Sequence, residues 1–80
     1  MDTTNIMVVE ERFLSTILKN RLEKEGFVIH QAFDGEEALD LLKSERPNLI
    51  VLDLILPKKS GFEVLESISK APQLSQVPVV

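Results

Sequence analysis

The stretch Leu49-Ile50-Val51-Leu52-Asp53 decides how this chain reads. Four consecutive apolar residues, partly β-branched and bounded by turn signals, fit a short strand buried on both faces, as strands of parallel sheets are. Asp53 then stands where that strand ends. Pro47 precedes the run, and Leu56-Pro57-Lys58-Lys59-Ser60-Gly61 follows it as a loop.

The same alternation extends outward in both directions. Toward the N-terminus, Glu36 to Ser44 reads as a helix with Ala38, Leu39, Leu41 and Leu42 on its apolar side. Its two leading acids suit the positive end of the helix dipole, and Asp34-Gly35 punctuates the chain before it. Phe27 to Phe33 fits a second strand around Val28-Ile29. Before that, Leu14, Ile17, Leu18 and Leu22 recur at helical spacing, and Gly26 stands where a helix C-terminus wants a glycine. Ile6-Met7-Val8-Val9 is a first buried strand. Toward the C-terminus, Phe62, Leu65 and Ile68 mark a third helix, Pro72 breaks it, and Val77-Pro78-Val79-Val80 opens a fourth strand. Strand and helix therefore alternate throughout. That order implies right-handed βαβ units and a parallel α/β sheet covered by helices on both faces.

Composition sets the outer limits. Eighty residues make one small domain, with 44% hydrophobic and 28% charged residues, ordinary for a globular protein. A chain this short buries only about 60% of the surface that its unfolded form exposes. A formal net charge of -4 argues against nucleic-acid binding by this segment. Without cysteine there are no disulfides and no thiolate metal sites, which suits a reducing compartment. No apolar run reaches the roughly 18 residues of a membrane span, and residues 1–5 lack the pattern of a secretory signal. The expectation is a cytoplasmic location and no membrane partner.

In open parallel sheets, functional groups gather at the carboxyl ends of the strands. Glu10-Glu11 follows the first strand and Asp53 the third. If those strands are neighbours, the carboxylates converge. Clustered carboxylates resist ionising together unless a cation joins them, and hard oxygen ligands suit Mg²⁺. A carboxylate is also a competent nucleophile toward phosphorus. The same acids equally fit local roles, Asp53 capping the next turn and Glu10 and Glu11 starting a helix.

A longer match distinguishes these roles. Ile6-Met7-Val8-Val9-Glu10-Glu11, Glu25-Gly26-Phe27, Ala32-Phe33-Asp34-Gly35-Glu36-Glu37-Ala38-Leu39 and Pro47-Asn48-Leu49-Ile50-Val51-Leu52-Asp53-Leu54 come in one order. Leu56-Pro57, Ser60-Gly61-Phe62-Glu63-Val64-Leu65 and Val77-Pro78-Val79-Val80 continue it. In these blocks and their spacing, the chain resembles the CheY-like receiver domains of two-component response regulators.

The resemblance implies a flavodoxin-like, three-layer fold, of which residues 1–80 supply the first (βα)3β part of a (βα)5 domain. It makes Asp53 the acceptor of a phosphoryl group from a histidine kinase or phosphotransfer protein. It gives Mg²⁺ to Asp53, to an acid after the first strand (Glu10, with Glu11 as a further candidate) and to the backbone carbonyl of Ile55. Pro57 and Gly61 would shape the acceptor loop. Lys58 and Lys59 read as a solvated pair, His30 as a strand residue far from any ligand partner, and Arg12 and Arg21 as solvated charges. Phe13, Phe27, Phe33 and Phe62 read as core.

Two departures from the family pattern stand out. The family places two adjacent acids after its first strand, the second lying four residues before a buried apolar helix residue. Counting back from Leu14 puts the second acid on Glu10 and the first on Val9, which would remove one carboxylate and weaken Mg²⁺. The other register makes Glu10 and Glu11 the pair. The second departure is that the family's later Thr or Ser, fourth helix, fifth strand with its lysine, and fifth helix have no counterpart here. Leu14, Ile17 and Leu18 should then be partly exposed, favouring a homodimer or completion by a longer parent chain.

The resulting expectation is a phosphoacceptor signalling module and not an enzyme. The alternative is a degenerate receiver that serves as a non-phosphorylated interaction or dimerisation module. A phosphohydrolase with an aspartate nucleophile fits poorly. Such enzymes carry a general-acid aspartate two residues after the nucleophile, where this chain has Ile55.

Overall fold

The computed structural model describes residues 3–56, 58, 60–74 and 76–80. Three strands, β1 (Asn5–Val9), β2 (Val28–Ala32) and β3 (Leu49–Leu52), alternate with three helices, α1 (Arg12–Lys24), α2 (Gly35–Leu42) and α3 (Gly61–Lys70). The strands form a parallel sheet in the order β2-β1-β3, with Val9 opposite both Ala32 and Leu52. Beyond β3 the fourth apolar run makes a single parallel bridge, Val79 to Ile50. Pro78 O and Val80 N both bond Ile50, and Leu52 N donates to Val80 O. The expected fourth strand is present only as this beginning.

Strand alternation sorts the interior into two layers. Met7, Val9, Ala32, Ile50 and Leu52 face one way and pack with Ala38 and Leu42 of α2, Val64 and Ile68 of α3, and Leu74. Ile6 and Val8 are equally buried but face the other way, toward α1. The α2–α3 side holds the larger apolar cluster. The α1 side is thinner: Leu14 and Ile17 remain 46% and 49% exposed, as expected.

Local chemistry explains the helix ends. Asp34 and Ser60 cap α2 and α3 through their side-chain oxygens, each accepting the N–H three residues on. Glu11 caps α1, its two carboxylate oxygens taking Phe13 N–H at 2.9 Å and Leu14 N–H at 2.8 Å. At the other end of α1, Gly26 adopts φ +95° just past the C-cap, a conformation that costs glycine little.

The structure corrects several readings of single residues. Phe13 and Phe62 are exposed and not core, whereas Phe27 and Phe33 are half-buried. The inner side of α3 is Gly61, Val64 and Ile68: the expected Ile68 is buried, whereas Phe62 and Leu65 are exposed. Arg12 is not merely solvated: its guanidinium lies 4.0 Å above the centre of the Phe33 ring. His30 does have partners, with Nε2 3.2 Å from Asn5 Oδ1 and Nδ1 3.4 Å from Glu45 Oε1. They lie at the amino-terminal end of the sheet, opposite Asp53. Helix α2 ends at Leu42, two residues short of the expected Ser44.

Candidate functional site

Parallel pairing of Val9 with Leu52 sets the next residue of each strand, Glu10 and Asp53, side by side at the carboxyl edge of the sheet. Two backbone bonds hold that edge. Asp53 N–H donates to Val9 O at 2.9 Å, and Glu10 N–H donates to Ala32 O at 3.2 Å. The expected convergence of the first and third strands therefore occurs.

The Glu10 carboxyl is held above the usual carboxylate range. Partial burial is the largest cause, followed by its hydrogen-bonding approach to Asp53 and then by the charges of Asp53 and Glu11. The Glu11 N–H, 3.1 Å from Glu10 Oε1, opposes the shift without cancelling it. Two carboxylates in contact are a poor arrangement for anions alone. They are a good one for a proton or a cation between them.

Asp53 is oriented from its own loop. Its Oδ1 accepts the Ile55 N–H at 3.0 Å, so the turn-capping role open to this residue is also filled. The close approach of α3 depends on Gly61, whose N–H donates to Leu54 O at 3.1 Å. A Cβ at position 61 would overlap the Asp53 carbonyl oxygen and Leu54 Cα. Glycine is thus required here by space. Farther along the loop, Lys58 adopts φ +63°; its side chain is exposed, as expected, and its Nζ lies 3.6 Å from Asp34 Oδ2. Pro57 and Lys59 lie outside the described residues.

Glu11 takes a different part. Both of its carboxylate oxygens are engaged by N–H groups of α1, facing the helix start. The count that placed an acid position on Val9 does not hold. It required Leu14 to be the buried helix residue, but Leu14 is half-exposed and Ser15 is fully buried. Four residues before Ser15 stands Glu11, and Val9 is a core residue of β1. Sequence periodicity missed Ser15 because a serine carries no apolar signal.

The donor set at this edge is two carboxylates, Glu10 and Asp53, beside the Ile55 backbone. This fits a hard divalent cation that keeps several waters. Among the described residues, no group of three or more His, Asp or Glu side chains is placed to hold a metal by itself.

A family model for the response regulator receiver domain matches residues 6–80. The chain belongs to the response regulator receiver domain family. Its whole length aligns at 41% identity with a probable transcriptional regulator ycf27 of Porphyridium aerugineum, covering 32% of that protein. Among solved structures, the phosphorylated cyanobacterial phytochrome response regulator RcpA is similar at 33% identity and TM-score 0.86. The match covers 98% of this chain and 63% of RcpA. Chemotaxis response regulator CheY4 of Vibrio cholerae gives a TM-score of 0.93 at 23% identity, over 98% of this chain and 66% of that one. The receiver chain thus spans about a third of the curated regulator and just under two thirds of these structures. The described strands and helices are of the flavodoxin-like, CheY-like type and correspond to that part of the neighbours. No helix among the described residues is long and apolar enough to cross a membrane.

Proposed function

We propose that this receiver domain accepts a phosphoryl group on Asp53 from the phosphohistidine of a histidine kinase or phosphotransfer protein in the cytoplasm, with Mg²⁺ bound. The observation that carries the reading is the pairing of Glu10 with Asp53 at the carboxyl edge of the sheet, where burial and Asp53 disfavour the charged form of Glu10. In the transfer, an Asp53 carboxylate oxygen attacks phosphorus. The O–P bond forms as the P–N bond breaks, and the donor imidazole keeps the nitrogen electron pair.

Glu10, Asp53 and the Ile55 carbonyl are the ligands assigned to Mg²⁺. Bound there, the cation supplies charge neutralisation for the phosphoryl oxygens. Glu11 contributes its charge and the cap of α1, with its oxygens directed to the helix. The Ile55 N–H steadies the acceptor, and Gly61 lets α3 approach its backbone. Phosphorylation would add roughly one negative charge and strong acceptor oxygens to an edge that already carries two acids. RcpA, at 33% identity, is described in its phosphorylated form, which supports the same assignment.

The test is labelling of the chain with acetyl phosphate or beryllofluoride in the presence and absence of Mg²⁺, read by intact mass and by amide shifts. One Mg²⁺-dependent modification, lost in Asp53→Asn, is expected. An unmodified chain would favour the second reading, an interaction module that is not phosphorylated. The exposed Leu14 and Ile17 on α1 are the observation behind that alternative.

A further inference from the structure

Ser15 is the one fully buried polar side chain among the described residues. It sits on the sheet-facing side of α1, a place that an apolar residue would fill with no polar group to satisfy. Its hydroxyl accepts a hydrogen bond from Gln31 Nε2 at 2.8 Å. Gln31 precedes Ala32, the residue whose carbonyl takes the Glu10 N–H. Ser15 N–H, in turn, donates to Glu11 O at 2.9 Å.

These bonds close a ring. It runs from Glu10 to Ala32, along β2 to Gln31, across to Ser15, back to Glu11, and through one peptide bond to Glu10. Each link is a hydrogen bond or the chain itself, and the acidic turn forms one side. One member of the ring reaches a site carboxylate, the Glu11 N–H at 3.1 Å from Glu10 Oε1, and the ring as a whole sets the position of the backbone that carries Glu10.

We propose that Ser15 and Gln31 are positioning residues for the acidic turn, their hydrogen bond fixing where Glu10 stands beside Asp53. This rests on reading Glu10 and Asp53 as ligands of a divalent cation. A ligand set works when its members are held to within about 0.5 Å. Partners hydrogen-bonded to metal ligands are typically worth 10–100-fold in affinity. Ser15 and Gln31 act one bond farther out, so the expected effect is smaller.

The experiment is a Mg²⁺ titration of the whole 80-residue chain, followed by amide shifts, for the parent, Ser15→Ala, Gln31→Ala and the double variant. Circular dichroism at low temperature confirms that each is folded. Each single variant should bind Mg²⁺ about three- to tenfold more weakly, and the double variant no more weakly than the singles, since all three lack one bond. The Glu10 amide should exchange with solvent faster in each. Gln31→Ala removes the bond without altering α1, which keeps the test alive if Ser15→Ala unfolds. Reduced stability with unchanged Mg²⁺ affinity and unchanged Glu10 exchange in the folded variants would overturn the proposal. A parent that binds no Mg²⁺ would remove the reading beneath it and the proposal together.

Discussion

At Glu10, the fold makes a charged carboxylate costly. The folded carboxyl titrates above its ordinary value because burial and Asp53 disfavour its charge. Between the unfolded and folded values the native state holds more protons than the unfolded one, so stability falls as pH rises through that window. Above the window the full cost remains; below it, none does. Glu10→Gln imitates the protonated acid. In chelator-treated protein it should therefore melt higher than the parent at pH 7.5 and equal to it near pH 4, as thermal denaturation would measure. Mg²⁺ should reverse the order at pH 7.5, because ligand binding stabilises only the chain with both carboxylates. Equal melting temperatures at both pH values would contradict the electrostatic account. Asp53 was legible at this scale as an acid after an apolar strand. Its contact with Glu10 was conditional on strand order. Ser15 was invisible, since its role depends on which side of α1 meets the sheet.

Among the elements, the two helix starts flanking the site are built differently, and each can be tested. Helix α1 depends on a glutamate cap that takes two N–H groups. Glu11→Ala should cost about 0.5–2 kcal/mol in urea denaturation, within the range for cap removal. Restoring a short capping side chain in Glu11→Asp should recover part of it. Helix α3 depends on the absence of a side chain at Gly61. Gly61→Ala should cost about 1–3 kcal/mol, because the added methyl must displace the Asp53 backbone. It should also weaken Mg²⁺ binding, which Glu11→Asp should not do to the same extent. The helices themselves were legible from caps and breakers such as Asp34, Gly26 and Pro72. Their inward faces were less so. Phe62 and Leu65 mimic a buried stripe with Ile68, yet Val64 is the residue that joins Ile68 in the core, because α3 turns that side toward the apolar cluster.

For the whole molecule, the uneven cover of the sheet matters most. The α2–α3 side contains a continuous apolar cluster, while α1 leaves Leu14 and Ile17 half-exposed and Phe13 at 70%. Exposed apolar surface of this kind favours association. Light scattering of the 80-residue chain should show mass increasing with concentration, and Leu14→Ser with Ile17→Ser should reduce that increase. A monomer over the whole range would contradict it. By itself, the sequence determined the alternation of strands and helices, the parallel sheet and the acid at the end of β3. Those follow from periodicity, turn residues and the handedness of βαβ units, all local or general properties of the chain. Only the tertiary structure decided that Val9 is core, that Glu10 is the acid facing Asp53, and that Glu11 caps a helix. The reason is geometric: strand register and helix rotation are set by packing between distant segments, and one residue of either exchanges an acid facing Asp53 for a core or cap residue.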